Sequence, residues 1–475
     1  MQPTSLLFRE NVSKALLDTD LQTALYRVDK NFTARRTAAV TALPEFDALR
    51  DDAVRIKDHT LAHLDLYLEK FEENVLANGG HVHWAATPDD AKRIILELCQ
   101  AAGARTVTKG KSMIAEEIAL NPFLEAHGIT PVETDLGEYI IQLADEPPSH
   151  IIGPAIHKTK EQVSDLFVEH HRQYGKTQRL TEGVDLVAEA REILRPRYLA
   201  ADVGITGANF LIAETGTSVI VTNEGNGDLT QQLPGTHIVI ASLEKIVPTL
   251  EDASTLLRVL ARSATGQQMS VYTTFSTGPR RADDPDGPHN YHVVLLDNGR
   301  SKLLGTEFQD ILRCIRCGAC FNHCPVYGSI GGHAYGWVYS GPMGAVLTPT
   351  MIGIDEAHHL PSATPFCGRC EAVCPMRIPL PKMMRHWREQ AFDKKLGGSR
   401  HRLALRAWAW LAQRPAAYQR LSRIAVRYLA WRGRPLGRMH DLPFAQGWTA
   451  ARDLPAPQGR TFSELWAARQ RRAGP

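Results

Sequence analysis

Seven of the chain's eight cysteines lie between Cys314 and Cys374. Cys314, Cys317, Cys320 and Cys324, followed by Pro325, are spaced C-x2-C-x2-C-x3-C-P. Cys367, Cys370 and Cys374, followed by Pro375, repeat all but the first position. Two-residue spacings let one tight loop present three thiolates to one cluster; the fourth cysteine, before the proline, ligates a second cluster. The pattern therefore reads as iron–sulfur ligation. Zinc sites use paired C-x2-C knuckles, often with His, and lack the trailing Cys-Pro. Disulfides suit small secreted domains, not one cysteine block in a chain of 475 residues.

Crossed ligation gives one cluster to Cys314, Cys317, Cys320 and Cys374. The other takes Cys324, Cys367 and Cys370 and is one thiolate short, because Thr364 stands where a full repeat would begin. Two iron–sulfur clusters are expected, the first 4Fe-4S and the second either a three-iron 3Fe-4S cluster or a 4Fe-4S cluster with a non-cysteine fourth ligand. His323, His358 and His359 are the nearby imidazoles, and a plain loop role is the simpler reading of each. Cys99, in AKRIILELCQ, reads as a free buried thiol on an amphipathic helix.

These cysteines need a scaffold. Residues 1–75 carry apolar positions at three-to-four spacing and predict helices ending at Gly79-Gly80. From His81 to about Arg280, strand-like runs alternate with helices, which argues for an α/β domain with a largely parallel sheet. HVHWAA, TVTKG, TPVETDL, YIIQLA, HIIGPAI, HIVIASLEKIV and MSVYTTFSTGP read as strands, and FLIAETG with TSVIVTNEG as a hairpin turned at Gly216. The polar loop DDPDGPHN reads as the end of that domain. The expected domains are 1–75, 76–298, 299–385 and 386–475.

Other motifs carry less. Lys109-Gly110-Lys111-Ser112 lacks the earlier glycine of a P-loop, since position 105 is Arg105. It reads as surface charge, with a small-anion site such as one for a carboxylate as the alternative. Glu224-Gly225-Asn226-Gly227-Asp228 lacks the third glycine of a dinucleotide fingerprint and reads as a tight turn. Glu133, Asp135, Glu138, Glu214 and His237 sit at strand ends that could ring a cleft, with capping as the plainer role. No nucleophile–base constellation is visible, so catalytic residues are not assigned.

Composition is globular, 43% hydrophobic and 22% charged. Thiolate ligation implies a reducing compartment. The N-terminus lacks a signal-peptide pattern and no run of 18 apolar residues occurs, so a cytoplasmic location is expected. Residues 381–475 hold 20 Lys and Arg against 5 Asp and Glu, in a chain whose total is only +2. Six of the eight tryptophans fall in 387–466. A docking face for a partner subunit accounts best for this tail, ahead of peripheral membrane association; nucleic acid is not expected.

The segments KGKSMIAEEIALN, VETDLGEYIIQLADEPPSHIIGPAIHK, ADVGITGANFLIAETGTSVIVTNEGN, CIRCGACFNHCPVY, GGHAYGWVYSGPMGAVLTP and CGRCEAVCPMRIPLP make nearly the full length similar to the lactate utilisation protein B family. The glycine- and aromatic-rich gap between the cysteine runs resembles helical two-cluster domains of quinone-linked dehydrogenases. The family resemblance implies an α/β lactate-utilisation domain, like sugar-isomerase and CoA-transferase folds, then a two-cluster ferredoxin-type domain and a basic C-terminal region. It also implies work with two other proteins, one with cysteine-rich repeats and one a stand-alone copy of the α/β domain. The expected function is electron relay in oxidation of L-lactate to pyruvate, as a component rather than a complete enzyme. The alternatives are a catalytic α/β domain acting on a carboxylate or CoA-type substrate, through residues such as Glu214 or Lys111, and a scaffold with structural clusters.

Overall fold

Strand-like runs alternating with helices predict an α/β domain with a largely parallel sheet. The computed structural model, which describes residues 3–442, 446–449 and 452–473, bears this out. Strands β1 (His81–Ala85), β2 (Thr106–Gly110), β3 (Thr130–Glu133) and β4 (Val203–Gly207) are followed by β5 (Phe210–Ile212), β6 (Thr217–Thr222), β7 (Thr236–Ser242), β8 (Ile246–Val247), β9 (Tyr272–Ser276) and β10 (Asn290–Leu296). Six of them form a wholly parallel sheet in the order β1-β10-β7-β4-β2-β3. The hairpin β5–β6, flanked by β8 and β9, forms a second sheet.

Chain order reverses between β2 and β4: β2 leads outward to β3, and β4 leads the other way to β7. The ends of two adjacent strands whose connections diverge leave a crevice, and in open parallel sheets ligands bind there.

The N-terminal helices are α1 (Phe8–Leu17), α2 (Thr19–Thr41), α3 (Phe46–Ala62) and α4 (Leu64–Ala77). Leu64, Leu68, Phe71 and Val75 of α4 pack on one face of the large sheet with Leu211, Val239, Val293 and Leu295. The helix Pro88–Ala101 covers the other face through Ala91, Ile95 and Cys99. A Thr87–Asp90 capping box and Pro88 start that helix. Cys99 is fully buried, as expected, and burial pushes its thiol up to about 12.

Several expected elements take another form. YIIQLA lies in a helix, Leu136–Leu143, started by Asp135, whose carboxylate accepts from the Gly137 and Glu138 amides. HIIGPAI is an irregular loop rather than a strand. DDPDGPHN does not end the α/β domain, because β10 follows it and inserts between β1 and β7. Gly225 through Asp228 start the helix Asn226–Gln232 instead of forming a free turn.

Residues 1–394 form one unit and 395–475 a second. The helix Leu380–Asp393 belongs to the first and runs through the boundary expected at 385/386. In the second unit, helices Ser399–Ala412, Pro415–Gly433 and Phe462–Ala473 accompany a two-stranded pairing of Arg438–Met439 with Leu454–Pro455. Trp408, Trp410 and Trp431 are exposed there, with the Arg414 guanidinium 3.9 Å from the Trp410 ring centre. The outermost residues of the expected terminal segments, 1–2 and 474–475, lie outside the described residues, as do 443–445 and 450–451. Among the described residues no helix is long and apolar enough to cross a membrane.

Gly204, in the middle of β4, has no room for a side chain: a Cβ there would lie 1.9 Å from the Thr230 carbonyl oxygen. Gly204→Ala is expected to lower stability by about 1–3 kcal/mol, measured as a fall in melting temperature. An unchanged melt would contradict this packing of the helix Asn226–Gln232 on the sheet.

Candidate metal centre

The first cysteine run folds as a loop closed by two left-handed residues, Arg316 (φ 59°) and Gly318 (φ 71°). Cys314, Cys317, Cys320 and Cys374 line one small cavity, walled otherwise by Ile151, Met343, Met376 and Leu380 among others. Burial pushes the Cys317 thiol up, and Cys374 and Cys314 add to the shift. Cys320 is raised by burial and then by Cys314, Cys317 and Cys374. Cys374 is pushed to about 11, mainly by burial. The remaining thiols form a second group. Burial raises Cys324, with Cys367 adding to it. Burial, then Cys324, carries Cys370 to about 12. Cys367 is exposed.

Crowded, desolvated thiols hold their protons unless a metal replaces them. Backbone amides are already aimed at the sulfurs: Ala319 at Cys317, Val326 and Tyr327 at Cys324, Glu371 at Cys370, and Met376 and Ile378 at Cys374. Such N–H groups stabilise thiolate charge and set cluster potential. The donor set therefore fits iron–sulfur ligation.

The N-terminal helices hold the second run in place. Arg50 of α3 donates from Nε to the Cys374 carbonyl oxygen at 3.2 Å, and from Nη2 to the Ala372 oxygen at 3.1 Å. Arg36 of α2 donates to the Val373 oxygen at 2.7 Å. The loop misread as a strand supports the first run. His150 is buried against Gly318 and Phe321, and its Nε2 lies 3.1 Å from Asn322 Oδ1. Its Nδ1 accepts from the Ile152 and Gly153 amides at 3.1 and 3.2 Å, and burial pushes the ring down to about 4. A neutral imidazole follows, with its proton on Nε2.

Of the three candidate histidines, His323 places Nδ1 2.9 Å from the Ala319 oxygen and shares an open groove with Cys324. His358 is half-buried, with Nδ1 3.1 Å from the Asp355 oxygen. His359 packs 5.8 Å from the Phe8 ring. Thr364 Oγ1 accepts from the Phe366 amide at 3.0 Å, which shapes the turn into Cys367.

The crevice between β2 and β4 opens into a cavity of about 470 Å³, lined by Lys111, Asp135, Glu138, Asn209, Lys245 and Arg316, among others. Lys109 is not surface charge: it is fully buried, 2.8 Å from Glu116 and 2.7 Å from Glu133. Lys111 pairs with Asp135, and with Glu224 at 3.7 Å. Burial, then Glu133 and Asp135, pushes the Glu138 carboxyl well up. Glu214 lies away from the crevice, where its carboxylate accepts from the Leu250 amide at 3.3 Å. His237 sits at the start of β7, the opposite end from the crevice, with Nε2 2.9 Å from Thr206 Oγ1.

A buried charge network joins this wall to the cysteine loop. Arg300 pairs with Glu117 at 2.6 Å and Glu244 at 3.1 Å, and Glu244 pairs with Arg316 at 3.3 Å. Tyr339 donates to Glu117 at 2.7 Å. Lys57 donates to the Glu244 and Ile246 carbonyl oxygens. Burial pushes both Lys57 and Lys245 down to about 8. Arg300, Glu117, Glu244 and Lys245 escaped the sequence reading because each lies in an apolar run or turn without a motif. Arg316 lies inside the first cysteine run, but the spacing there drew attention to the thiols and not to it.

A parallel α/β domain joined to a seven-cysteine helical module defines an iron–sulfur protein of the lactate-utilisation type. The LUD domain matches residues 68–296, a 4Fe-4S dicluster domain 310–378, and the C-terminal domain of lactate utilisation protein B 369–471. Curated relatives match the chain over nearly its full length. "Lactate utilization protein B" of Bacillus velezensis is 41% identical over 98% of both chains. That of Geobacillus thermodenitrificans is 43% identical over 98% of both, and that of Bacillus subtilis 41% identical over 98% of this chain and 96% of its own. The chain belongs to the lactate utilization protein B family. A crystal structure of a DUF162 family protein from Deinococcus radiodurans matches 49% of this chain and 98% of its own at 15% identity and a TM-score of 0.26, which carries no argument.

The network makes stability pH-dependent with a defined sign. Burial alone would raise the Glu244 carboxyl, but Arg300, then Arg316 and Lys245, hold it at about 2 against an ordinary 4.5. A depressed carboxylate contributes stability that is complete above its ordinary pKa and lost as pH falls toward the folded value. Unfolding free energies of Glu244→Gln should therefore decline less than those of the parent between about pH 5 and pH 3. Equal declines would show that Glu244 is not held this way.

Proposed function

We propose that this protein is the iron–sulfur electron-carrying subunit of a system that oxidises L-lactate to pyruvate. The observation that carries the reading is the partition of seven thiols, six of them buried or half-buried and Cys367 exposed, into a group of four and a group of three within one module. On this reading Cys314, Cys317, Cys320 and Cys374 hold one cluster, and Cys324, Cys367 and Cys370 hold the other. Bound clusters supply one-electron acceptance and donation. The chain's own part is to aim amide donors at sulfur, exclude water around the four-thiol cavity, and set positive charge from Lys57, Lys245 and Arg316 beside Cys314. The exposed Cys367 suits the three-thiol group to be the exit toward an acceptor.

The names of the relatives supply lactate as the substrate of the system. Partner subunits, a cysteine-rich-repeat protein and a stand-alone α/β-domain protein, belong to the same reading. The basic tryptophan-rich tail is the face offered to them, with peripheral membrane association as its other use. A reducing compartment, the cytoplasm, suits seven free thiols.

In the anaerobically purified complex with its partners, L-lactate should bleach the visible absorbance and produce EPR signals of reduced clusters. Unchanged spectra with both clusters loaded would overturn the relay. In the isolated chain, Cys317→Ser should cost about half the bound iron while leaving the signal of the three-thiol group. Loss of both signals together would mean that the thiols do not divide in this way.

A further inference from the structure

The cavity at the switch point contains a cation with no hydrogen bond or ion pair of its own among the described residues. Lys245 lies in the turn after β7, is 8% exposed, and lines the cavity. Among the described residues its ammonium makes no hydrogen bond and no ion pair, and Glu244 and Cys314 act on it only at longer range. The other cations of the cavity are engaged: Lys111 with Asp135 and Glu224, Arg316 with Glu244 and the Tyr339 ring. A buried ammonium whose counter-charges lie beyond hydrogen-bonding reach is costly, and part of the cost is recovered when an anion enters beside it.

The remaining lining narrows the anion's chemistry. Ile114, Ile140, Ile151 and Ile240 give the cavity apolar wall, which suits a hydrocarbon body. Asp135, Glu138 and Glu224 line it too, so a second negative charge on the ligand would meet carboxyl groups rather than a cation. Phosphate would need several convergent donors. The nearby Ala115 amide is already taken by Ser112 Oγ at 3.1 Å. Asn209 lines the cavity with its Oδ1 occupied by the Val221 amide, which leaves its Nδ2 to donate.

We propose that this cavity is a binding site for a small organic monocarboxylate, with the carboxylate on Lys245 Nζ and the carbon chain against the isoleucine wall. The site is built across two modules, since Arg316 comes from the cysteine loop and Ile151 lines both this cavity and the four-thiol cavity. A ligand here sits one side chain away from the proposed first cluster. Binding does not require that electrons move, so the site stands apart from the relay reading.

Calorimetric titration of the cluster-loaded full-length protein under anaerobic conditions tests it, with L-lactate, propionate, succinate and inorganic phosphate as probes. L-Lactate or propionate should saturate at one per chain, with succinate and phosphate at least about tenfold weaker. Lys245→Gln should weaken the monocarboxylate by roughly tenfold or more, the loss of one charge-assisted hydrogen bond. Iron content and visible spectrum show whether that variant is intact. If it loses its clusters, Ala208→Leu, which fills the same cavity from the β4 end, takes its place and should also weaken binding. No saturation by any monocarboxylate, phosphate as tight as the monocarboxylates, or parental affinity in the intact variant would each overturn the proposal. A complex whose clusters ignore lactate would count against the relay and leave the titration untouched.

Discussion

Ionised groups taken out of water must be answered by opposite charge, and that constraint organises the junction between the sheet and the cysteine loop. Glu117 and Glu244 are buried with Arg300 between them, and Arg316 and Tyr339 close the set. Removing any one member would strand another in a low-dielectric interior. The two modules are therefore held in one relative position by electrostatics as well as by apolar packing. Lys57 of α3 extends the set to the N-terminal helices through two carbonyl oxygens.

The same junction sets the environment of the thiols. Lys57, Lys245 and Arg316 all act on Cys314, while Arg36 acts on Cys317 and Cys374. Positive charge beside sulfur favours thiolate and, with metal present, favours the more reduced cluster. The loop from Ser149 to His157 adds a neutral support: Tyr327 donates to the Ser149 oxygen at 2.8 Å, and His150 fills the space behind Gly318. Segments remote in sequence thus share the task of keeping the cysteine loops closed and dry.

Much of this was legible in the chain. Cysteine spacing identified the metal chemistry, because ligand geometry dictates that spacing locally. Most strands were visible as short Val- and Ile-rich runs, and the hairpin was visible from its flanking runs about Gly216. YIIQLA was misread because a short apolar run fits either period; the deciding signal was the cap supplied by Asp135. HIIGPAI was misread because its apolar residues face two cavities instead of a neighbouring strand. Lys109 passed for surface charge because nothing local marks a lysine whose partners, Glu116 and Glu133, come from another strand and a later helix.

The amino-acid order alone determined which residues can meet iron, since a tight loop brings near neighbours together whatever surrounds it. It also determined that helices and parallel strands would carry that loop. Only the tertiary structure decided that Glu117, Arg300 and Glu244 form one buried network, and that Lys245 faces a crevice without a hydrogen-bonded partner among the described residues. Both depend on burial and on contacts between distant segments. Desolvation and pairing are properties of three-dimensional surroundings, and no local pattern encodes them.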